Sequence, residues 1–303
     1  MKNLLNQHQL ILMEAAIVER LRRSSHIDLH PRLVNAPLIY NELGSFELRK
    51  IYQSYIDVAT RANLPILLCT PTWRANHDRV SESNINEEIN VDAVNFMNEI
   101  RDQQGVNASH IKIGGLIGCK NDCYKSDEGL TSAEAERFHT WQITELAKTK
   151  VDFLIAETLP NIQEAMGIAN AMSKTNIPYI ISFVINRKGE VLDGTPLAEA
   201  VRELDGNVEI RPLGFMVNCA YPSFLNASSQ PKALFERLIG YQANASSLDH
   251  AELDNCSELQ TEDLALWGNE MLSLNNEFGV KILGGCCGTD VDYINYLVKE
   301  FSA

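Results

Sequence analysis

The stretch Lys281-Ile282-Leu283-Gly284-Gly285-Cys286-Cys287 decides the fold of this 303-residue chain. It is a short apolar run of the length of a strand that is buried on both faces, as in a parallel sheet. Similar runs precede it at residues 10–16, 64–70, 111–118, 151–157, 178–185, 213–220 and 238–244. Helical patterns lie between the runs, among them residues 47–62, 133–149, 162–173 and 262–278. Eight strands alternating with helices predict an α/β fold, a single-domain (β/α)8 TIM barrel over residues 1–303.

A doubly wound sheet is the alternative fold. Such a sheet more often begins with a glycine-rich phosphate turn after its first strand. The corresponding residues here, Glu14-Ala15-Ala16-Ile17-Val18, contain no glycine. The strand spacing is uneven because polar insertions lie around residues 25–44 and 246–261, and we expect His250 and Cys256 in the second insertion to be exposed.

Composition and charge limit the classes of partner. The chain is 45% hydrophobic and 22% charged, which is typical of a globular protein. Its 26 basic and 40 acidic residues give a net charge of −14, which argues against nucleic acid as a partner. No apolar run approaches the roughly 18 residues of a membrane span, and the first residues lack a signal-peptide core. We therefore expect a cytoplasmic protein without a membrane partner, and a homo-oligomer remains open.

The positions of three cysteines indicate a metal site. Cys219 ends the sixth run, and Cys286 and Cys287 end the eighth. Because the C-terminal ends of barrel strands converge on one face, these thiols are expected to meet. Three thiolates around an open fourth position suit a catalytic Zn²⁺. The alternative is that they are ordinary buried cysteines, since free cysteine is among the most buried residue types.

The remaining four cysteines suggest no further metal site. An odd total of seven does not indicate a disulfide framework. Cys119 and Cys123 have a spacing loose enough for a metal or redox pair, but no His/Cys cluster accompanies them, so free or weakly reactive thiols are favoured. His139 falls on a predicted helix, where we expect it to be packed or hydrogen-bonded.

Two motifs resemble a known family. Gly284-Gly285-Cys286-Cys287-Gly288-Thr289 and Val217-Asn218-Cys219 resemble the zinc motifs of the homocysteine S-methyltransferase family. Supporting similarity includes Glu157-Thr158-Leu159-Pro160 at the end of the fourth run and residues 239–244 in the seventh.

That resemblance implies a barrel enzyme with a catalytic zinc on Cys219, Cys286 and Cys287. It implies that a thiol acceptor, homocysteine, takes the fourth zinc position and is methylated to methionine. A glutamate at the position of Glu157 holds the amino group of the acceptor in this family. Asn218, beside a zinc ligand, is expected either to orient the site or bind substrate, or to serve only in a structural turn.

The first-strand segment departs from the family pattern. The family has Asp-Gly-Gly or Asp-Gly-Ala where this chain has Glu14-Ala15-Ala16, and backbone amides there approach the acceptor carboxylate. We therefore assign Glu14 and Ala15 to substrate binding. Alanine restricts positive φ and close approach, so the acceptor is open to being a thiol other than homocysteine.

Side chains after the second, third and sixth runs are further candidates. Arg74 is predicted either to bind a substrate carboxylate or to form a salt bridge at the rim. Trp73, Tyr124 and Tyr221 are placed either to enclose a sulfonium or quaternary ammonium donor by cation–π contact or to pack as a lid.

These features lead to one main functional hypothesis. The chain is predicted to be a zinc-dependent S-methyltransferase that uses a small-molecule thiol acceptor and a methyl donor. The donor is a free compound, such as S-methylmethionine or a betaine-like molecule, or a partner protein. The alternatives are the same zinc thiolate chemistry on a different thiol and a barrel that binds zinc without turnover.

Overall fold

Eight parallel strands form a closed barrel in the computed structural model, which describes residues 1–249 and 259–302. Neighbours along the chain are neighbours in the barrel, and β8 pairs with β1 to close it. The strands are β1 (Ile11–Met13), β2 (Ile66–Cys69), β3 (Ile111–Gly118), β4 (Phe153–Leu159), β5 (Tyr179–Phe183), β6 (Gly214–Ala220), β7 (Leu238–Ala243) and β8 (Ile282–Gly285). The predicted TIM barrel is confirmed, and a doubly wound sheet is excluded.

Helices connect the strands on the outside of the barrel. They are α1 (Lys2–Gln7), α2 (Val18–Arg22), α3 (Glu42–Ala62), α4 (His77–Ser81), α5 (Ile89–Asp102), α6 (Ser132–Ala147), α7 (Ile162–Ser173), α8 (Leu197–Asn207), α9 (Lys232–Phe235), α10 (Leu264–Phe278) and α11 (Val291–Phe301). Short 3₁₀ turns lie at Ala36–Tyr40, Gly105–His110, Ser126–Glu128, Pro222–Leu225 and Ala227–Ser229. Helix α6 begins at a capping box, in which Thr131 accepts from the N–H of Glu134 while the Glu134 carboxylate accepts from the N–H of Thr131.

The alternation of side chains along the strands decides what fills the barrel. On β4, Phe153 and Ile155 pack in the interior cluster with residues such as Ile180 and Met216. Leu154 instead belongs to the outer cluster between strands and helices. Because side chains alternate with a period of two, Glu157 continues the inward series of Phe153 and Ile155 at the end of β4.

The structure differs from the predicted elements in two places. The first run is predicted over residues 10–16, but β1 ends at Met13. Glu14 still bonds to both neighbouring strands through its backbone, and Glu14, Ala15 and Ala16 form part of the wall of a cavity. In the first insertion, an isolated bridge between His30 and Val34 precedes the turn Ala36–Tyr40. His250 and Cys256 lie outside the described residues. None of the helices in the described ranges has the length and apolarity that a membrane span requires.

Candidate active site

A cavity of about 350 Å³ opens at the C-terminal ends of the strands. This is the face on which TIM barrels place their active sites. The cavity is lined by residues that follow β1 and β2 and by side chains at the ends of the later strands. Lining residues include Glu14, Ala15, Ala16, Trp73, Tyr124, Glu157, Thr158, Asn218, Cys219, Gln242, Asn244, Cys286 and Cys287.

The three predicted cysteines meet in this cavity. The Sγ atoms of Cys219, Cys286 and Cys287 all lie within 4.8 Å of one another. Cys219 is buried, Cys286 is partly buried and Cys287 is exposed, so the cluster faces the cavity. The sulfurs of Cys219 and Cys286 are in direct contact, as in an oxidised pair. In the reduced state the same three sulfurs can ligate one metal ion.

Glycines allow β8 to bring its two cysteines to this point. A Cβ atom on Gly284 would lie 2.8 Å from the carbonyl oxygen of Glu14. The N–H of the next residue, Gly285, donates to that same carbonyl at 3.1 Å. After the cysteines, Gly288 adopts a φ of 82°, which side-chain-bearing residues rarely adopt. The Gly-Gly-Cys-Cys-Gly pattern therefore follows from close approach to β1 and from the turn that ends the strand.

Asn218 connects two strained backbone positions near the ends of β4 and β6, where the strand pairing shifts in register. Thr158 and Cys219 both have left-handed backbone conformations, with φ of 62° and 54°. The Asn218 Oδ1 atom accepts from the N–H of Thr158 at 2.9 Å and from Ser182 Oγ at 2.7 Å. Its Nδ2 atom donates to Thr158 Oγ1 at 3.0 Å and to Cys219 Sγ at 3.6 Å. Asn218 thus fixes the position of Cys219 relative to the end of β4, which carries Glu157.

Two carboxyl groups form the floor of the cavity. Glu14 is 7% exposed and accepts a hydrogen bond from the N–H of Cys69 at 2.8 Å. Burial raises the pKa of Glu14 well above its usual value, and the charge of Glu157 raises it further. Burial also raises the pKa of Glu157 to about 7. The thiol of Cys69 donates to Glu157 Oε1 at 3.8 Å. A cation bound here would favour the charged forms of both carboxyl groups.

Ala15 and Ala16 line the cavity beside this floor. Both are buried, and neither has a positive φ. Their N–H groups have no hydrogen-bond acceptor within residues 1–249 and 259–302. The part of the objection that concerned positive φ therefore does not apply, because this backbone needs no glycine-like conformation.

The predicted aromatic residues divide into two groups. Trp73 and Tyr124 line the cavity, and the hydroxyl of Tyr124 is hydrogen-bonded to the side chain of Cys287. Tyr221 is 3% exposed and does not line the cavity; its ring packs instead against Phe224. Of the two alternatives given for Tyr221, donor binding and packing, the structure supports packing, whereas the side chains of Trp73 and Tyr124 line the cavity.

Arg74 has a role other than the two predicted from the sequence. It is buried and does not line the cavity. Its Nη1 atom donates to the carbonyl oxygens of Cys119 at 2.8 Å and Asn121 at 2.6 Å, and its guanidinium lies 4.1 Å from the ring centroid of Trp73. Arg74 therefore stabilises the loop after β3 instead of facing a substrate.

The other cysteines and His139 occupy structural positions. Cys119 and Cys123 are buried free thiols, and burial raises the pKa of Cys119 to about 12, so both are expected to be protonated. His139 is fully buried on α6, and its Nε2 lies 2.9 Å from Glu164 Oε1. Glu164 also accepts from the N–H of Lys120 at 2.7 Å. The predicted packing role of His139 is confirmed.

Several residues of the cavity were not identified from the sequence. Helix α2 contributes Glu19 and Arg22, and Arg23 directly follows that helix. Strand β7 contributes Gln242, and Asn244 lies just past its end. The glutamine and asparagine at the end of a buried apolar run were a detectable signal, because polar side chains at strand ends in a barrel face the active site. The α2 residues gave no such signal, since charged residues on a short helix usually face solvent.

The sequence model described as homocysteine S-methyltransferase matches residues 5–301. The chain belongs to the homocysteine S-methyltransferase family. It is thus a member of a family of methyltransferase enzymes.

The curated relatives in the homocysteine S-methyltransferase family share little sequence identity with this chain. The homocysteine S-methyltransferase YbgG of Bacillus subtilis is 26% identical over 180 residues, which cover 56% of this chain and 53% of that protein. The S-methylmethionine–homocysteine S-methyltransferase of Mus musculus is 23% identical over 255 residues, covering 78% of this chain and 65% of that protein. The matched part of the chain therefore spans between about half and two thirds of these relatives.

A solved structure from the same family shares the fold. The homocysteine methyltransferase MmuM of Escherichia coli, in its metallated form, superposes with a TM-score of 0.76 at 18% identity and covers 99% of both chains. Its oxidized form gives a TM-score of 0.78, also at 18% identity, over 99% of this chain and 98% of that chain. At this identity the similarity supports the architecture alone.

Proposed function

We propose that this chain is a zinc-dependent S-methyltransferase that moves a methyl group from a small onium donor to a metal-bound thiol. Homocysteine is the proposed acceptor and methionine the product. The observation that carries the proposal is the cluster of Cys219, Cys286 and Cys287, with sulfurs within 4.8 Å of one another beside a carboxylate floor. We further propose that residues 1–303 form one domain and that the protein is cytoplasmic, where thiols stay reduced.

The donor set of the cluster fits a catalytic zinc. Three thiolates suit this borderline-soft ion, and catalytic sites have three protein ligands and one open position. Within the described part of the chain no fourth His, Cys, Asp or Glu joins the group. Zn²⁺ held by these three cysteines would lower the pKa of a thiol at the open position and so supply a nucleophilic thiolate at neutral pH. The three-ligand set favours catalysis over zinc storage, which would use a closed set of four.

The rest of the cavity fits an amino-acid thiol. Glu157 is placed to accept hydrogen bonds from the ammonium group, and Glu14 adds a second acceptor at the floor. The free N–H groups of Ala15 and Ala16 suit the carboxylate of the same molecule. With its two charged ends bound in this way, the thiol sulfur is directed to the cysteine cluster.

Methyl transfer needs no acid or base at the methyl carbon. The bond between the methyl group and the onium atom breaks, and its electron pair remains with that atom, which leaves neutral. The thiolate sulfur supplies the electron pair of the new carbon–sulfur bond. Trp73 and Tyr124 are placed to stabilise the onium charge through their ring faces and to exclude water. The role of the chain is therefore to bind and align two substrates.

The donor class that best fits is a small sulfonium. The murine relative is named for S-methylmethionine, and a cavity of about 350 Å³ is in the range of sites for small molecules. A different thiol acceptor remains the second candidate, because Glu14 replaces the shorter aspartate of the family pattern and its carboxyl group is bound to the N–H of Cys69.

Methionine formation tests the proposal. Zinc-loaded protein is incubated with S-methylmethionine and homocysteine, and methionine is measured by mass spectrometry with a methyl-labelled donor. Cys287→Ser is expected to lose activity at least about 100-fold because a ligand is lost. Cys123→Ser, a free thiol of the same cavity, is the matched control and is expected to stay active. Absence of labelled methionine with the unaltered protein would overturn homocysteine as acceptor, and a screen of other thiols then tests the second candidate.

A further inference from the structure

Helix α2 presents a charged face to the cavity. Val18, Glu19, Arg22 and Arg23 line it, a spacing of one, three and four residues that places them on one side of a helix. Leu21 lies on the opposite side and is 1% exposed. The charges of this face therefore belong to the substrate cavity and not to the protein surface in general.

One cation of this face has no carboxylate partner. The described lining contains three carboxyl groups, on Glu14, Glu19 and Glu157, and two guanidinium groups, on Arg22 and Arg23. Arg23 is paired with Glu19 at 2.7 Å, and Glu19 also accepts from the N–H of Gly288. Among the described residues Arg22 makes neither a salt bridge nor a hydrogen bond. Arg22 is thus the cavity's one uncompensated cation in this part of the chain.

Arg22 lies at the solvent-exposed mouth of the cavity that holds the cysteine cluster. The side chain of Arg22 is exposed to solvent, whereas Ala16, six residues earlier in the chain, is buried. Along the helix axis it is about 6 Å from Val18, at about 1.5 Å per residue. Glu19 and Arg22 line the same cavity as Cys287. Because Arg22 is exposed and lines this cavity, a second substrate that enters the cavity can reach its guanidinium group.

The charge of Arg22 discriminates between donors. A donor that carries only its onium charge is repelled by this guanidinium, because like charges in one cavity oppose binding. A donor that also carries a carboxylate gains a charge-assisted and geometrically matched hydrogen-bonding partner. The onium end then faces inward to Trp73 and the carboxylate faces outward.

We propose that Arg22 is a specificity-determining residue that binds the carboxylate of a zwitterionic methyl donor. This inference rests on the proposed function and adds to it the charge class of the donor. It assigns the acceptor to the floor and the donor to the mouth of one cavity.

The test compares S-methylmethionine with S-methylmethionine amide, which has the same onium group but no carboxylate. In the Arg22→Ala variant the KM for S-methylmethionine is expected to rise about tenfold, the size expected for loss of one charge-assisted hydrogen bond at an exposed site. The KM for the amide is expected to stay the same or to fall, and the KM for homocysteine to stay unchanged. For Arg22→Lys, the KM for S-methylmethionine should lie between those of the unaltered protein and Arg22→Ala. A lysine keeps the positive charge but lacks the planar guanidinium that binds a carboxylate with two hydrogen bonds.

Arg202→Ala is the control, since Arg202 is an exposed arginine on α8 whose partner is Glu199. Equal changes in KM for both donors in Arg22→Ala, or no change for either, overturn the role of Arg22. If the unaltered protein methylates a thiol from neither donor, the proposed function has failed instead, and the role of Arg22 falls with it.

Discussion

At the scale of single residues, Glu157 links burial to substrate recognition. Its position at the end of β4 follows from the inward series of Phe153 and Ile155, so strand periodicity alone brings a carboxyl group to the floor of the cavity. Burial raises its pKa to about 7, and a bound ammonium group would stabilise the charged form.

The raised pKa of Glu157 predicts a pH-dependent effect on stability. Its folded-state pKa of about 7 lies above the ordinary value of 4.5, so the favourable contribution of the neutral form is complete below pH 4.5 and is lost as the pH rises through 7. Glu157→Gln stays neutral, so its free energy of unfolding relative to the unaltered protein is expected to rise between pH 5 and pH 8. The expected rise is about 1–3 kcal/mol in denaturant titrations of metal-free protein. Glu203→Gln is the control, because Glu203 is an exposed glutamate on α8. If the difference in unfolding free energy between Glu157→Gln and the unaltered protein is the same at pH 5 and pH 8, the raised pKa of Glu157 is contradicted.

Asn218 is expected to affect both stability and metal binding. Asn218→Ala removes four hydrogen bonds and leaves the buried N–H of Thr158 without its acceptor, which is expected to lower the free energy of unfolding by about 2–4 kcal/mol. Zinc affinity, measured by competition with a chelator, should also fall because Cys219 loses its support. Ser182→Ala removes only one of these bonds and should cost about 1 kcal/mol with little change in zinc affinity. Unchanged zinc affinity in Asn218→Ala would contradict the positioning role.

At the scale of elements, the end of β8 is restricted by its neighbour β1. Gly284→Ala would place a Cβ atom 2.8 Å from the carbonyl oxygen of Glu14. The oxygen is a backbone atom and the Cβ is bonded directly to the backbone, so no side-chain rotation can relieve the contact. We expect a loss of about 1–3 kcal/mol in unfolding free energy and weaker zinc binding. Gly206→Ala on α8 is the matched control, because its Cβ meets nothing within 4 Å, and it should be neutral or stabilising by up to about 1 kcal/mol. Equal stability of the two variants would exclude the close approach as the reason for the glycine.

Some elements and site residues could be predicted from the sequence, and others could not. The eight strands and the cysteine cluster were predictable, because apolar runs mark buried strands and barrel strands converge at their C-terminal ends. Arg74 has neither of its two predicted roles, and Tyr221 packs instead of binding a donor. A position just past a strand end does not determine whether a side chain points into the cavity or back into a loop. Arg22 was missed because its role depends on the path of residues 14–17, which periodicity cannot supply.

At the scale of the whole molecule, the metal site joins distant parts of the chain. Cys219 lies near the end of β6, Cys286 and Cys287 follow β8, and β7 lies between these two strands. An ion bound by all three cysteines therefore links strand ends 67 residues apart in sequence. Ligands that bind only the folded state raise its stability in proportion to the logarithm of their concentration over Kd.

Zinc is therefore expected to raise the Tm of the reduced protein. A concentration of about 100 times Kd adds about 2.7 kcal/mol, which is a shift of a few degrees for a chain of this size. The Tm of Cys286→Ser should respond far less, and that of Cys123→Ser should respond like the unaltered protein. Scanning calorimetry with and without zinc checks this expectation, and an equal response in Cys286→Ser would show that zinc binds elsewhere.

Zinc-edge X-ray absorption with and without homocysteine tests the central claim most directly. The account predicts three sulfur neighbours around zinc in the protein alone and a fourth on addition of homocysteine, because the acceptor thiol takes the open position. A sulfur count that stays at three would contradict homocysteine as the zinc-bound acceptor, and a count of four before addition would contradict the open metal site itself.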